Sequence, residues 1–171
     1  MKKNLFLVCL FMFGTLASCQ CSSKKSADNA VVNATETPVP LGDPFILLHD
    51  GVYYAYGTHS NKGIEFYTSD DLLTWKYGGL ALNKEDSWAD RWFWAPEIYF
   101  VNGKFYMYYS ADEHICVAVA DSPTGPFVQD KKEPMIADEK CIDNSLFIDD
   151  NGTPYLSFVR FNDGNNIWIR I

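Results

Sequence analysis

The sequence is short of positive charge, with 14 Lys and Arg residues against 22 Asp and Glu residues and a net charge of −8. A nucleic-acid-binding protein needs a basic surface to displace counterions from phosphates, so this balance argues against such a partner. After the N-terminal segment, no apolar run reaches the roughly 20 residues that span a membrane. No stretch there sustains the 3.6-residue apolar period of a helix, and Cys and His do not occur at the spacing of a zinc site.

What the sequence does contain is apolar and aromatic residues. Of its 171 residues, 47% are hydrophobic and 16% are aromatic. A hydrophobic share of this size excludes a disordered chain, and the length suits about one domain. Aromatic residues favour strands over helices, so the composition indicates a β-rich fold.

The first residues have the pattern of an export signal. Lys2 and Lys3 precede the apolar residues 5–13, and Leu16-Ala17-Ser18-Cys19 follows. A basic start, a short apolar core and small residues are typical of a secretory signal. The last four residues resemble the lipobox of bacterial lipoproteins, in which the cysteine is lipidated. We therefore predict a lipoprotein signal peptide over residues 1–18, lipidation at Cys19, and an exported protein anchored at the outer membrane by lipid alone; an ordinary signal with an incidental cysteine is the alternative.

A flexible tether is predicted between this signal and the folded domain. Residues 19–40 are rich in Ser, Ala, Asn and Thr, a composition that cannot bury a core. Residues 41–171 then form the folded part. Of the cysteines within it, Cys116 and Cys141 could form a disulfide in an oxidising compartment or could each be a small buried apolar residue.

The folded part repeats itself with an offset of 52 residues. The matching pairs are Pro44 and Pro96, Ile46 and Ile98, Gly51 and Gly103, Tyr54 and Tyr106, Tyr56 and Tyr108, and Trp75 and Phe127. A third, less regular copy contains Gly152 and Tyr155, with Asn151-Gly152 as its turn. A period near 50 residues is typical of repeat architectures.

Each copy has the pattern of four short strands. We predict strands at residues 45–48, 52–57, 64–68 and 75–77, then 98–101, 104–110, 115–120 and 127–129, then 145–148, 154–159 and 166–171. Four strands per repeat describe a β-propeller blade, so the fold class is an all-β propeller with about two and three-quarter blades. We expect this to be a truncated piece of a longer protein, with one apolar blade face exposed.

Acidic residues lie at the start of the first strand of each unit. Asp43 precedes Pro44, Glu97 follows Pro96, and Asp143 lies 100 residues after Asp43. First strands surround the axis of a propeller, so these carboxylates are expected in one central funnel. Opposed carboxylates in a cleft can hydrolyse a glycosidic bond. Asp70, Asp71, Asp149 and Asp150 are instead expected to be turn residues.

Three tryptophans lie in the loop that leads into the second unit: Trp88, Trp92 and Trp94. An indole ring presents a flat apolar face on which a sugar ring can stack. The alternative is that these rings fill the groove between blades. Trp94 is the strongest candidate for a sugar contact because it adjoins the acid-bearing strand.

The sequence resembles glycoside hydrolase family 43 in a set of motifs that occur in the order found in that family. The motifs are Gly42-Asp43-Pro44, Thr68-Ser69-Asp70-Asp71-Leu72-Leu73-Thr74-Trp75, Trp94-Ala95-Pro96-Glu97, Ala120-Asp121-Ser122-Pro123-Thr124-Gly125-Pro126-Phe127 and Ile142-Asp143-Asn144-Ser145-Leu146-Phe147. The resemblance implies a five-bladed propeller that hydrolyses arabinose- or xylose-containing oligo- and polysaccharides with inversion.

The resemblance also implies a role for each matching residue. Asp43 would be the general base, and Asp143 the carboxylate that orients the general acid and raises its pKa. Trp94, Glu97 and Ile142 would contact the sugar. The family's proton donor is a Glu in the fourth blade, beyond this sequence. No cofactor is expected, although some relatives hold a metal ion on the axis through ligands in blades that this sequence lacks.

Three other interpretations are consistent with parts of the pattern. A related clan of five-bladed enzymes cleaves fructans, but its Asn-Asp-Pro-Asn start is not matched by Gly42-Asp43-Pro44-Phe45. A non-catalytic sugar-binding propeller would keep the tryptophans without needing carboxylates in register. A purely structural repeat would not gather carboxylates at one axis, where unpaired charges are costly.

Overall fold

A computed structural model describes residues 38–161 and 166–170, the last five as a backbone strand only. The predicted signal peptide, Cys19 and most of the predicted tether lie outside these residues. The described residues form ten strands in three antiparallel sheets and a single 3-10 turn at Lys84–Asp86. Among the described residues, no helix is long and apolar enough to cross a membrane.

The three sheets follow one another along the chain. The first has the order β1-β2-β3-β4, the second β5-β6-β7 and the third β8-β9-β10. The strands are β1 (Gly42–His49), β2 (Val52–Thr58), β3 (Gly63–Ser69), β4 (Lys76–Asn83), β5 (Trp94–Val101), β6 (Lys104–Ala111), β7 (His114–Ala120), β8 (Cys141–Ile148), β9 (Pro154–Arg160) and β10 (Asn166–Arg170). Strand β5 contacts both β1 and β8, so the first strands of the three sheets lie side by side, as in the blades of a propeller. The predicted all-β class is confirmed, and so is the predicted strand pattern except at residues 127–129.

Tight turns join the first two strands of sheets one and two. Asp50-Gly51 has φ angles of 49° and 79°, and Asn102-Gly103 has φ angles of 50° and 79°. Two successive positive φ angles define the hairpin turn whose twist matches that of the strands. The third hairpin has the loop 149–153 that the predicted strands leave between them, and within it the carboxylate of Asp149 accepts hydrogen bonds from the N–H groups of Asn151 and Thr153, at 2.9 and 2.8 Å.

Asp71 and Asp149 serve as turn residues, as predicted. The N–H groups of Thr74 and Leu73 donate to the Asp71 carboxylate and hold its pKa below the ordinary value. The N–H of Thr153 has the same effect on the pKa of Asp149. Neither carboxylate belongs to the candidate site described below.

The predicted fourth strand of the second sheet, residues 127–129, is reduced to single bridges. Only Val128 pairs with β7, through two hydrogen bonds to Val119 of 2.9 and 3.0 Å. The N–H of Phe127 donates instead to the carbonyl of Ala81, and that of Gln129 to the carbonyl of Asp86. This segment therefore binds the first sheet to the second rather than extending the second.

The main core lies between the first two sheets. It includes Tyr56 and Ile64 from the first sheet and Met107 and Tyr109 from the second, all with no exposed surface. A second core cluster contains Ile115, Ile136, Cys141, Leu156 and Phe158. Cys116 and Cys141 are both buried and no disulfide joins them, which agrees with their interpretation as small apolar residues.

The outer faces of the first and third sheets carry exposed apolar side chains. Ile46 is 50% exposed, whereas Ile98, its counterpart 52 residues later, is 1% exposed beneath the first sheet. Phe147, on the third sheet, is 64% exposed. The predicted exposure of an apolar blade face is thus confirmed for the described residues.

Candidate active site

The first strand of every sheet contains a bulge at the same place. Register shifts interrupt the pairing between Gly42 and Phe45, between Trp94 and Glu97, and between Ile142 and Ser145. Inside these bulges Asp43, Ala95 and Asp143 have φ angles of 45°, 43° and 55°. This left-handed conformation is uncommon outside glycine, and a bulge redirects the side chain that it carries.

The bulges correct one expectation from the sequence. Glu97 was predicted to share the strand-start position of the two aspartates, but Ala95 occupies the equivalent bulge, and Glu97 follows two residues later. The offset of 52 residues that pairs Pro44 with Pro96 also aligns Asp43 with Ala95, and the bulges keep this equivalence because each has the same length. Only the first and third sheets therefore place a carboxylate on the bulge.

The three bulges line one cavity of about 300 Å³. It brings together the carboxylates of Asp43, Glu97 and Asp143, although Asp43 and Asp143 lie far apart in sequence. The lining residues are Asp43, Pro44, Phe45, Ala95, Pro96, Glu97, Asp143, Asn144 and Ser145. The predicted gathering of acidic groups at the first strands is present in the structure.

Asp43 is held by a hydroxyl group from the neighbouring strand. Thr58 Oγ1 donates a hydrogen bond of 2.8 Å to Asp43 Oδ2. The same Oγ1 accepts a hydrogen bond of 3.0 Å from the N–H of Ala95, in the next sheet. One hydroxyl group thus fixes both a cavity carboxylate and the adjacent bulge.

Asp143 experiences the electrostatic field of the cavity. Partial burial raises the pKa of Asp143 above its ordinary value, and the nearby negative charge of Asp43 raises it further. The N–H of Asp143 donates to Ser110 Oγ at 3.1 Å. Two carboxylates in one cavity make the protonated form of one of them more favourable.

The raised pKa of Asp143 predicts how the stability of the fold depends on pH at this residue. A carboxyl group whose folded-state pKa is raised favours folding below the unfolded-state pKa of about 3.9, and that contribution is lost as the pH rises through the folded-state pKa. Asp143→Asn removes the ionisation, so the variant is expected to melt above the parent at pH 7, with the gain shrinking towards pH 3. Thermal melts at the two pH values measure this, with Asp70→Asn, an exposed turn carboxylate, as the control. An equal gain at both pH values would contradict the prediction.

Glu97 connects the second and third sheets as well as lining the cavity. Its Oε2 accepts a hydrogen bond from the Tyr99 hydroxyl, and it lies 3.4 Å from the N–H of Leu146, which also donates to the Tyr99 oxygen at 3.1 Å. Burial, followed by the hydrogen bond to Glu97, raises the pKa of Tyr99 to about 12. Glu97 thus has a structural role between the second and third sheets. Its role as a sugar contact stays a prediction.

Trp94 and Ile142 each lie next to a bulge residue but outside the cavity lining. Trp94 stacks on Trp92 with 5.8 Å between ring centroids and 11° between planes. The guanidinium of Arg91 lies 4.3 Å from the ring centroid of Trp92 and pairs with Asp112 at 2.7 Å. The sugar contacts of Trp94 and Ile142 stay predictions. The stack on Trp92 supports the ring of Trp94 beside the second bulge.

Trp88 is placed differently from the other two tryptophans. It packs against the main core and meets the ring of His114 edge-on, with 5.1 Å between centroids. This position agrees with the alternative in which the ring fills space between elements. Trp92, at 39% exposure, stays compatible with a stacking surface.

Sequence reasoning missed three polar residues at the bulges. Thr58 and Ser110 were not singled out, although both carry hydroxyls and lie 52 residues apart, the offset of the repeat. Asn144 occupies the place of Pro44 and Pro96 in the other bulges and is 3% exposed, and neither polar atom of its side chain has a hydrogen-bond partner. The repeat offset was the available signal for the hydroxyl pair.

The described residues contain no group of three or more His, Cys, Asp or Glu side chains placed to hold a metal ion.

Comparisons with known proteins agree with this geometry. The chain is 36% identical to the xylosidase/arabinosidase 43A of Humicola insolens over 77% of the chain and 50% of the relative. It is 27% identical to an extracellular exo-α-(1→5)-L-arabinofuranosidase of Cellvibrio japonicus over 72% of the chain and 41% of the relative. A solved endo-1,4-β-xylanase of Bacteroides thetaiotaomicron matches with 52% identity and a TM-score of 0.72, over 77% of this chain and 46% of that one.

The chain spans about half the length of these relatives. A sequence profile of the glycosyl hydrolases family 43 matches residues 35–170, which includes all three bulges and the whole described part of the chain. The protein therefore belongs to glycosyl hydrolase family 43.

Proposed function

We propose that the whole protein is a glycoside hydrolase that cleaves arabinose- or xylose-containing oligo- or polysaccharides with inversion of configuration. Asp43 is the general base, and Asp143 is the carboxylate that orients the general acid and raises its pKa. The observation that carries this proposal is the single cavity of about 300 Å³ lined by both carboxylates. A shared cavity is what two carboxyl groups need in order to act on one glycosidic bond.

The environment of Asp43 suits a general base. Its carboxylate is exposed to solvent, so water can reach it. The hydrogen bond from Thr58 to Oδ2 holds the carboxylate in one orientation. In an inverting enzyme the base activates a water molecule on the face of the sugar opposite the leaving group.

The environment of Asp143 suits a modulating role. Burial and the charge of Asp43 make its ionised form less favourable, and a negative charge near a second carboxyl group raises the pKa of that group as well. A general acid must keep its proton until the leaving oxygen accepts it. We assign that acid to a Glu outside the described residues and keep Glu97 as a contact residue, since Glu97 is bound to Tyr99.

The relatives support a pentose-containing substrate. Those named above are a xylosidase/arabinosidase, an arabinofuranosidase and a xylanase. The stacked pair Trp92 and Trp94 offers apolar ring surface beside the second bulge, and such surface suits the C–H faces of a sugar. Trp94 and Ile142 are the proposed sugar contacts outside the cavity.

The experiment offers the whole protein 4-nitrophenyl α-L-arabinofuranoside, 4-nitrophenyl β-D-xyloside, arabinan and xylan, because the 171 residues alone, without the general acid, are expected to be inactive. Release of pentose is the expected result, and proton NMR of the first product formed is expected to show the inverted anomer. Retained configuration would contradict the inverting mechanism. Calorimetric binding of oligosaccharides without any turnover would instead favour a non-catalytic carbohydrate-binding propeller.

We also propose that the protein is exported and held at the outer membrane by a lipid on Cys19. One support is the pattern Leu16-Ala17-Ser18-Cys19 after a short apolar run, and another is the extracellular relative from Cellvibrio japonicus. Labelled palmitate is expected to enter the parent and not Cys19→Ser. Equal labelling of both would contradict the assignment of the lipid to this residue.

A further inference from the structure

The three bulges are linked to one another by side-chain hydroxyls that repeat with the sheets. Thr58 lies at the end of β2 opposite Gly42, and Ser110 lies in β6 opposite Trp94. Each therefore pairs with the residue that precedes a bulge in its own sheet. The hydroxyl of each then reaches the bulge of the next sheet along the chain.

The two contacts have the same chemistry. Thr58 Oγ1 accepts the N–H of Ala95 at 3.0 Å, and Ser110 Oγ accepts the N–H of Asp143 at 3.1 Å. In both cases the donor is the bulge residue with positive φ. A bulge leaves a backbone group without its partner in the strand ladder, and backbone N–H groups removed from water need an acceptor. The hydroxyl supplies that acceptor from a neighbouring sheet.

Thr58 has a second function that Ser110 does not share. The Thr58 hydroxyl donates to Asp43 Oδ2 at 2.8 Å. Thr58 therefore binds a side chain in the bulge of its own sheet and a backbone N–H in the bulge of the next sheet. In the second sheet the bulge residue is Ala95, which has no carboxylate to bind. Ser110 is fully buried, so no water competes for its position beneath Asp143.

We propose that Thr58 and Ser110 are positioning residues for the two carboxylates of the candidate site. Ser110 fixes the backbone of Asp143, Thr58 fixes the carboxylate of Asp43, and together they set the separation between these two groups. This inference rests on the proposed function for its catalytic consequence, whereas the separation itself can be measured without turnover. Small displacements of reacting groups can lower a rate by about 10²-fold, which gives the two hydroxyls influence on catalysis without contact with the substrate.

The test measures the electrostatic coupling between Asp43 and Asp143. Carbon-13 NMR of labelled aspartate gives the pKa of Asp143 in the parent and in Asp43→Asn, and the difference reports how strongly the two groups interact. The same difference is then measured in the Ser110→Ala background. It is expected to shrink there, because the freed backbone lets the carboxylate of Asp143 leave its fixed position.

Ser87→Ala is the matched control. Ser87 is also a buried serine, but its hydroxyl bonds to the Tyr109 hydroxyl at 2.7 Å and not to a cavity residue. Both serine variants are expected to melt below the parent, and only Ser110→Ala should change the coupling. A coupling in Ser110→Ala equal to that in the parent would overturn the proposal, because a merely structural serine lowers stability and leaves the coupling intact.

Thr58 supplies a second pair of variants at a partly exposed position, where folding is less at risk. Thr58→Val keeps the shape and removes the hydroxyl, whereas Thr58→Ser keeps the hydroxyl. We expect kcat for pentoside hydrolysis to fall about tenfold to a hundredfold in Thr58→Val, with KM within about twofold, and to be restored in Thr58→Ser. Equal rates in the two variants would overturn the role of Thr58. A parent without hydrolytic activity would refute the proposed function alone, because the NMR coupling still decides the positioning of Asp143.

Discussion

Asp43→Asn is expected to lower kcat for pentoside hydrolysis by roughly 10²–10⁴-fold, the usual contribution of a general base. Asparagine has nearly the same shape and still accepts the hydrogen bond from Thr58, but it cannot take a proton from the attacking water. KM is expected to change far less, since the cavity lined by Asp43 keeps its form. The measurement is initial rates with 4-nitrophenyl pentosides, together with thermal melting to confirm that the variant is folded.

Asp70→Asn is the control for this substitution. Asp70 is an exposed aspartate in the turn that follows β3, so it loses the same charge without altering the cavity. Its rate is expected to stay within about twofold of the parent, as for surface changes generally. A folded Asp43→Asn protein with the parent's rate would remove Asp43 from the mechanism and leave the carboxylate cavity without a base.

Phe127→Ala is expected to lower the free energy of unfolding by about 3–5 kcal/mol. Phe127 has no exposed surface and belongs to the main core between the first two sheets. Its N–H donates to Ala81 in the first sheet, and Val128 beside it pairs with Val119 in the second. Truncating the ring leaves a cavity where the two sheets meet, since close-packed interiors relax only in part. Chemical denaturation followed by tryptophan fluorescence measures the change.

Phe100→Ala removes the same ring from a position that is 49% exposed. Half of this ring remains in water, so its loss is expected to lower the free energy of unfolding by about 1 kcal/mol. Both variants replace Phe by Ala, so a difference between their free energies of unfolding reports the burial of the ring and not the type of substitution. If Phe127→Ala unfolds no more easily than Phe100→Ala, residues 127–129 do not bind the two sheets together.

The repeat made most of the fold predictable. An offset of 52 residues aligned hairpin turns at Asp50-Gly51 and Asn102-Gly103, and both turns have the expected pair of positive φ angles. The segment 127–129 was predicted as a strand of the second sheet, yet Phe127 donates to the first sheet and Gln129 to the 3-10 turn that follows that sheet. Its apolar pattern indicates burial, but a pattern does not specify which neighbouring sheet receives the hydrogen bonds.

The candidate site was predictable in its carboxylates and less so in its supporting groups. Asp43 and Asp143 were selected by their register and line one cavity. Glu97 was placed at the wrong equivalent position, although the offset of 52 residues aligns Asp43 with Ala95. Thr58 and Ser110 were missed although they lie 52 residues apart, the offset of the repeat, since a hydroxyl at the end of a strand is a common residue.

The sequence by itself determined the local structure: which residues alternate as strands, where glycine turns reverse the chain, and how often the module recurs. These features depend on interactions over a few residues, so the order of residues is sufficient to specify them. Only the tertiary structure decided that Thr58 meets Ala95 across 37 residues and that Ser110 meets Asp143 across 33. It also decided that the charge of Asp43 raises the pKa of Asp143, because bulges, hydrogen bonds between sheets and fields in a cavity depend on distances that exist only once the sheets have packed.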